Sequence, residues 1–161
     1  MAITDIDALF EHELEDVYFA EHQLTEAYER MASVSSDEDL TAFFESHVEE
    51  TGDHIERLVE VFERTGRAPQ TEECQGIEGL LTEWESFAAD NEPGAIHDYY
   101  NVVTAMKTER YEQSAYESLV ALASERGDDG AMDLLKQNLD EDEETLNDLA
   151  KVARTFDYET L

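Results

Sequence analysis

Apolar residues recur at intervals of three and four along most of the chain. A first run contains Ile6, Leu9, Val17, Leu24, Ala27 and Met31, and a second contains Leu40, Phe43, Phe44, Val48, Ile55, Leu58 and Phe62. A third extends from about Gly94 to Arg126 through Val102, Met106, Tyr116 and Val120, and a fourth carries Leu134, Leu135, Leu139, Leu149 and Val152. That spacing puts each set on one face of a helix, so the pattern predicts four long amphipathic helices. At 1.5 Å per residue, each of these runs of about 25 to 30 residues spans about 40 Å. Thr4 with Asp7 and Ser35 with Glu38 have the polar-x-x-acid form that satisfies free N–H groups at a helix start, the second being a full capping box. No strand alternation, glycine-rich phosphate loop or nucleophile elbow interrupts the pattern.

Breakers define the topology. Short polar connections at 34–36 and 127–129 make helices one and two, and helices three and four, antiparallel hairpins. Both prolines, Pro69 and Pro93, fall between the hairpins with Gly66, Gly76, Gly79 and Gly94. A structureless loop of this length inside a compact domain would be unusual. The segment instead predicts a short helix near Gln75 to Ala89, bearing Leu80, Leu81, Trp84 and Phe87. A single long crossover between helices two and three is the connectivity of ferritin-like bundles. The expectation is an all-α, ferritin-like four-helix bundle of one domain, residues 1–161, with an extra helix in the crossover.

Charge narrows the classes of partner. The 161 residues include 42 acids and 10 Lys plus Arg, a formal charge of −32. Phosphate backbones and anionic lipid need clustered cations, so nucleic acid and membrane are excluded as partners. With only Lys107, Lys136 and Lys151 as lysines, the surface is nearly one-signed, which reads as adaptation to a salt-rich cytoplasm where screening removes self-repulsion; the alternative is an acidic binding surface for a basic partner. One cysteine, Cys74, permits no internal disulfide and reads as a small buried hydrophobe. The N-terminus has no basic segment followed by an apolar core, and a cytoplasmic protein is expected.

In so acidic a chain the informative carboxylates are those inside the apolar stripes. At 100° per residue, Glu21 lies among Leu14, Val17, Leu24 and Tyr28, Glu109 among Val102, Met106, Gln113 and Tyr116, and Asp142 among Leu135, Leu139, Leu146 and Leu149. The second helix offers His47 and His54 near the stripe's centre and Glu50 toward one edge. Glu112 and Glu141 are edge candidates, whereas His12, His22 and His97 lie off the stripes and are expected in solvent. Glu21 and Glu50 are 29 positions apart and Glu109 and Asp142 are 33, so each hairpin is expected to bring its two acids to matching depth. Tyr28, Tyr116 and Trp84 read as core, and Gly52 as a close helix approach, a π-bulge or a neutral surface position.

Buried carboxylates cost several kcal/mol each unless a proton or a cation neutralises them. Oxygen and imidazole ligands suit Fe or Mn, with Zn also compatible, so the pattern predicts a dinuclear site with Glu21, Glu50, His54, Glu109 and Asp142 as ligands and His47, Glu112 and Glu141 as further candidates. Ferroxidase or peroxide chemistry would follow. The alternative is a non-catalytic helical scaffold whose stripe acids are hydrated or protonated. A calcium site is disfavoured because no D-x-D-x-D-G loop occurs.

The segments VYFAEHQLTEAYERMA, HVEETGDHIERLVEVF, ECQGIEGLLTEW, KTERYEQSAYESL and LLKQNLDEDEETLNDLAKVA, in this order, resemble the YciE/YciF family of ferritin-like stress proteins over about residues 8–153. The resemblance implies a homodimeric bundle linked to stress responses, with a di-iron-type centre. Carried over singly, Glu21, Glu50, Glu109 and Asp142 match family acids, and His54 a His or Gln position. Ile77 replaces the usual Met, Arg110 a His, and Asp142 a Glu. Leu146 stands where the family usually has Asp, which implies a weaker or asymmetric second half-site if that Asp supports the metal.

Overall fold

The computed structural model describes residues 2–161. Five helices follow in order: α1 (Ile6–Val34), α2 (Glu38–Thr65), α3 (Gln75–Asp90), α4 (Ala95–Glu125) and α5 (Asp129–Thr155), with a 3₁₀ turn at Tyr158–Thr160. Helices α1 and α2 form one hairpin, α4 and α5 the other, and α1 packs on α4 while α2 packs on α5. The crossover lays α3 against α4 and α1. No helix is long and apolar enough to cross a membrane among the described residues.

The helix starts differ from expectation by one or two residues. Asp5 caps α1 by accepting from the Ala8 N–H at 2.9 Å, and Asp37 caps α2 by accepting from Asp39 and Leu40 at 2.9 and 3.0 Å. Thr4 and Ser35 are therefore not the caps. A carboxylate at the N-terminus gains the helix-dipole interaction that a hydroxyl lacks. Ser35 instead closes α1, its hydroxyl donating to the Met31 carbonyl at 2.8 Å. Ser36 is held by the Asp98 carboxylate of α4, which accepts from its N–H at 2.9 Å and also from its hydroxyl. Two left-handed glycines stop helices before their turns: Gly66 at φ +77° after α2 and Gly127 at φ +71° after α4. Behind each, an N–H reaches back five residues, Arg67 to Phe62 O at 3.3 Å and Asp128 to Ala123 O at 3.0 Å.

The apolar core falls into two clusters. One contains Leu24, Tyr28, Met31, Leu40, Phe44, Ile77, Trp84, Val102, Ala105 and Leu149. The other contains Phe10, Leu14, Val17, Leu58, Val61, Phe62, Tyr116, Leu119 and Leu135. Along every bundle helix, the residues between these clusters are the polar ones: Glu21 on α1, His47 to His54 on α2, Thr108 to Glu112 on α4 and Asn138 to Thr145 on α5. The helices thus cross a polar layer at mid-height.

Helix α3 explains three side chains that the stripes misplace or describe incompletely. It covers the first turns of α4, so His97 is 2% exposed, edge-on to Phe87, with neither ring nitrogen hydrogen-bonded, contrary to the expectation of a solvated residue. Trp84 is core, but its indole N–H also donates to Asn101 Oδ1 at 2.8 Å. Cys74 is buried as expected, yet its sulfur caps α3 by accepting from the Ile77 N–H and lies 2.7 Å from the Tyr111 hydroxyl. Helix α2 continues unbroken through Gly52, where no atom would lie within 4 Å of an added Cβ, so the position is an open surface and marks no close approach or bulge.

Candidate metal centre

Three helices, α1, α4 and α5, converge buried acids in the polar layer, and α2 adds a buried histidine. Glu21, Glu109 and Asp142 are 0% exposed, Glu112 is 2% and His54 is 1%. Two groups, Glu21–His54–Glu112 and Glu109–Glu112–Asp142, each bring three ligand-type atoms within 4.8 Å of one another. Glu112 belongs to both. His54 Nδ1 lies 3.2 Å from Glu21 Oε1 and 3.6 Å from Asp142 Oδ1, which ties the first group to the second.

A ring of polar side chains holds these groups in place. The Tyr116 hydroxyl donates to Glu21 Oε1 and accepts from Asn138 Nδ2 at 2.9 Å. The Tyr28 hydroxyl donates to Glu109 Oε1 at 3.2 Å and pairs with Thr108 Oγ1 at 2.8 Å. Burial raises both phenols well above their ordinary value and the facing carboxylates add to it, so both remain protonated donors. On the far side of His54, Nε2 lies 3.0 Å from Glu141 Oε2. Arg57 grips Glu141 through two N–H···O bonds of 2.7 and 2.8 Å. The His54 hydrogen bond, followed by the Arg57 guanidinium, outweighs partial burial and holds the Glu141 carboxyl at about 2.

The central groups are electrostatically strained. Burial first, then the charges of Glu21, Asp142 and Glu109, push the Glu112 carboxyl well above the carboxylate range. Burial and Glu109 do the same to Asp142, against the opposing pull of His54. Burial alone would lower the two histidines, but carboxylates reverse it. Glu21, Glu141 and Asp142 hold His54 up at about 11, and Glu109 and Glu50 hold His47 at about 10. Five carboxylate oxygens in the layer are buried without a hydrogen-bond partner: Glu21 Oε2, Glu109 Oε2, Glu112 Oε2 and both of Asp142. Such a concentration of unpartnered acid oxygens, which lose their protons readily to a metal ion, fits a cation, and hard oxygens with one imidazole fit a divalent Fe or Mn ion.

The structure distributes the anticipated residues over two shells. Glu21, His54, Glu109 and Asp142 meet at the centre. Glu112, anticipated at an edge, lies between them. Glu50 is half-buried outside both groups, its Oε1 3.1 Å from His47 Nδ1 and accepting from the Thr145 hydroxyl at 2.9 Å. His47 Nε2 lies 2.8 Å from Glu109 Oε1 without the alignment of a hydrogen bond. Glu141 turns outward to Arg57. The depth match therefore runs through His54, which is 33 positions after Glu21 as Asp142 is 33 after Glu109; Glu50 is one turn too early. Tyr28 and Tyr116 are core, as anticipated, but their hydroxyls face the acids. Each is seven residues after a central Glu, a spacing that returns a helical side chain to the same face and that marks the pair in the sequence.

Comparisons agree with this architecture. Residues 5–158 match the family described as a domain of unknown function, DUF892. Protein YciF of Escherichia coli strain K12 is 36% identical over 154 residues, 93% of each chain. Among solved structures, YcfI from Rhodopseudomonas palustris, described as a structural protein, has a TM-score of 0.90 at 35% identity, covering 94% of this chain and 96% of its own. The E. coli stress protein YciF has a TM-score of 0.89 at 34% identity with the same coverage. Symerythrin from Cyanophora paradoxa, at 15% identity and TM-score 0.69 over 96% of this chain and 86% of its own, shares the fold alone. The bundle is ferritin-like, and by sequence and structure together the chain belongs to the YciF family.

Proposed function

We propose that this protein holds a pair of Fe or Mn ions in the polar layer, one beside Glu21, His54 and Glu112 and the other beside Glu109, Glu112 and Asp142, and that it serves as an oxygen- or peroxide-reactive protein in stress. The carrying observation is the set of five buried carboxylate oxygens without partners. Such a metal pair, when bound, supplies one-electron steps toward oxygen or peroxide. The chain's own residues do the rest. Glu112 is positioned to serve both ions, Tyr116 and Tyr28 fix one oxygen each of Glu21 and Glu109, and Glu141 with Arg57 orients the imidazole of His54. The apolar clusters above and below exclude water from the layer. The E. coli relative's description as a stress protein supports the physiological setting. The charge of −32 supports a salt-rich cytoplasm, and pairing into a homodimer belongs to the same reading.

A scaffold without metal is the second reading. The raised carboxyls of Glu112 and Asp142 favour it, because protons can neutralise the layer, and the R. palustris relative is described as structural. Metal analysis after anaerobic reconstitution separates the two. About two equivalents of Fe or Mn are expected, falling below about one in Glu109→Ala with helix content retained. Less than about half an equivalent in the unsubstituted protein would establish the scaffold.

A further inference from the structure

Glu50 and His47 lie between the centre and a surface cavity. That cavity, of about 320 Å³, opens between α2 and α5 and is lined by Phe43, Ser46, His47, Glu50, Glu144, Thr145 and Asp148. Glu144 and Asp148 are exposed. The Glu50 side chain is 32% exposed and the His47 side chain 4%. The imidazole spans the step, with Nδ1 3.1 Å from Glu50 Oε1 and Nε2 2.8 Å from Glu109 Oε1. At the inner end, His47 Nε2 and Glu109 Oε2 are both buried and lack hydrogen-bond partners. Acid at the mouth, acid and imidazole at the neck, and carboxylate inside form a continuous line of ligand-type atoms.

We propose that this cavity is the uptake portal for divalent cations, and that Glu50 and His47 form a transit site that passes each ion to Glu109. This rests on the metal centre proposed above. The position that the repeat makes equivalent to Glu50 offers no such route. Asn138, 88 positions after Glu50, is 0% exposed and ties its amide to Tyr116 and to the His54 carbonyl. A hydrated cation drawn to Glu144 and Asp148 exchanges water for the Glu50 carboxylate, then for the His47 imidazole as that ring releases its proton to solvent at the mouth, so no step requires full desolvation at once. Thr145 keeps the Glu50 carboxylate turned toward the neck.

Stopped-flow uptake of Co(II), followed by its ligand-field absorption in the full chain, tests the portal. Ser46→Trp, which fills the mouth from an exposed position, is expected to slow uptake at least tenfold while the final equivalents stay at the unsubstituted level. Glu144→Lys is expected to slow uptake roughly tenfold at low salt, converging on the unsubstituted rate in about 1 M KCl. The same charge reversal at Glu26, beside a different cavity between α1 and α3, is expected to change the rate less than twofold. Glu50→Gln is expected to slow both uptake and release to a chelator. Unchanged rates in Ser46→Trp and Glu144→Lys, or a Glu26→Lys effect as large as theirs, would overturn the portal. So would loss of a full equivalent in Glu50→Gln, which would make Glu50 a permanent ligand. A protein that takes up no Co(II) would overturn the centre itself, and the portal with it.

Discussion

The two hairpins repeat one another at an offset of 88 positions, and their exchanges set the chemistry of the layer. Glu21 corresponds to Glu109 and Tyr28 to Tyr116. The hydrogen bonds cross between hairpins, Tyr28 to Glu109 and Tyr116 to Glu21, as a two-fold arrangement requires. Elsewhere the halves diverge. His54 corresponds to Asp142, Leu24 to Glu112 and Glu50 to Asn138. The first exchange gives one half an imidazole and the other a carboxylate. The second places an extra acid in only one half, where both ligand groups use it. The third leaves one side half-open and seals the other. A symmetric scaffold thus carries an asymmetric set of donors.

Restoring the symmetry at Glu112 has the largest expected effect. Glu112→Leu copies Leu24 and removes the residue common to both groups, so bound metal should drop from about two equivalents to less than about one by elemental analysis. The same change deletes a buried, electrostatically strained carboxyl, and the metal-free protein should gain about 2 kcal/mol by chemical denaturation. Retained stoichiometry would show that the two groups do not share this side chain.

The pH dependence of the metal-free protein should come next. Raised groups stabilise the fold below their unfolded values and lose that contribution as pH rises toward the folded values. Glu112 and Asp142 act this way from the ordinary carboxylate range upward, and His47 and His54 from 6.5 toward about 10 and about 11. Glu141 acts oppositely, its stabilisation present above 4.5 and lost as pH falls through about 2. The chelator-treated protein should therefore melt at progressively lower temperature from about pH 5 to about pH 10, and metal should flatten that decline. Equal slopes with and without metal would dissociate the strained groups from the ions.

The smallest effects should separate the two tyrosines. Tyr116→Phe strips a hydrogen bond from both Glu21 and Asn138 and should cost about 2 kcal/mol. Tyr28→Phe should cost about 1 kcal/mol, because Thr108 keeps its bond to the Ala105 carbonyl. Denaturant midpoints distinguish the two, and equal losses would mean that the crossed pair is energetically symmetric.

The sequence makes the helices legible because their breakers are local: Gly66, Gly127 and the prolines end or separate elements whatever packs around them. Caps are less legible. A serine and an aspartate two positions on compete for the same N–H groups, and Ser35 is already committed to the Met31 carbonyl at the end of α1, which leaves the cap to Asp37. Glu21, Glu109, Asp142 and His54 were visible as polar residues inside apolar stripes. Glu112 looked peripheral because a wheel assumes one buried face, whereas α4 packs against α1, α5 and α3 and buries a wide, largely polar arc. His97 was misplaced for the same reason. Helix spacing alone pairs Glu50 with Glu21, whereas the folded hairpin puts His54 at that depth.

Because carboxylates separate the two apolar clusters, hydrocarbon does not run uninterrupted from one end of the bundle to the other. Each end can consolidate as a small droplet of its own, with a joint of buried acids and histidines between them. An ion seated in that joint would act as a rivet, making one mechanical body of two and tying the rigidity of the whole rod to the supply of metal in the cell.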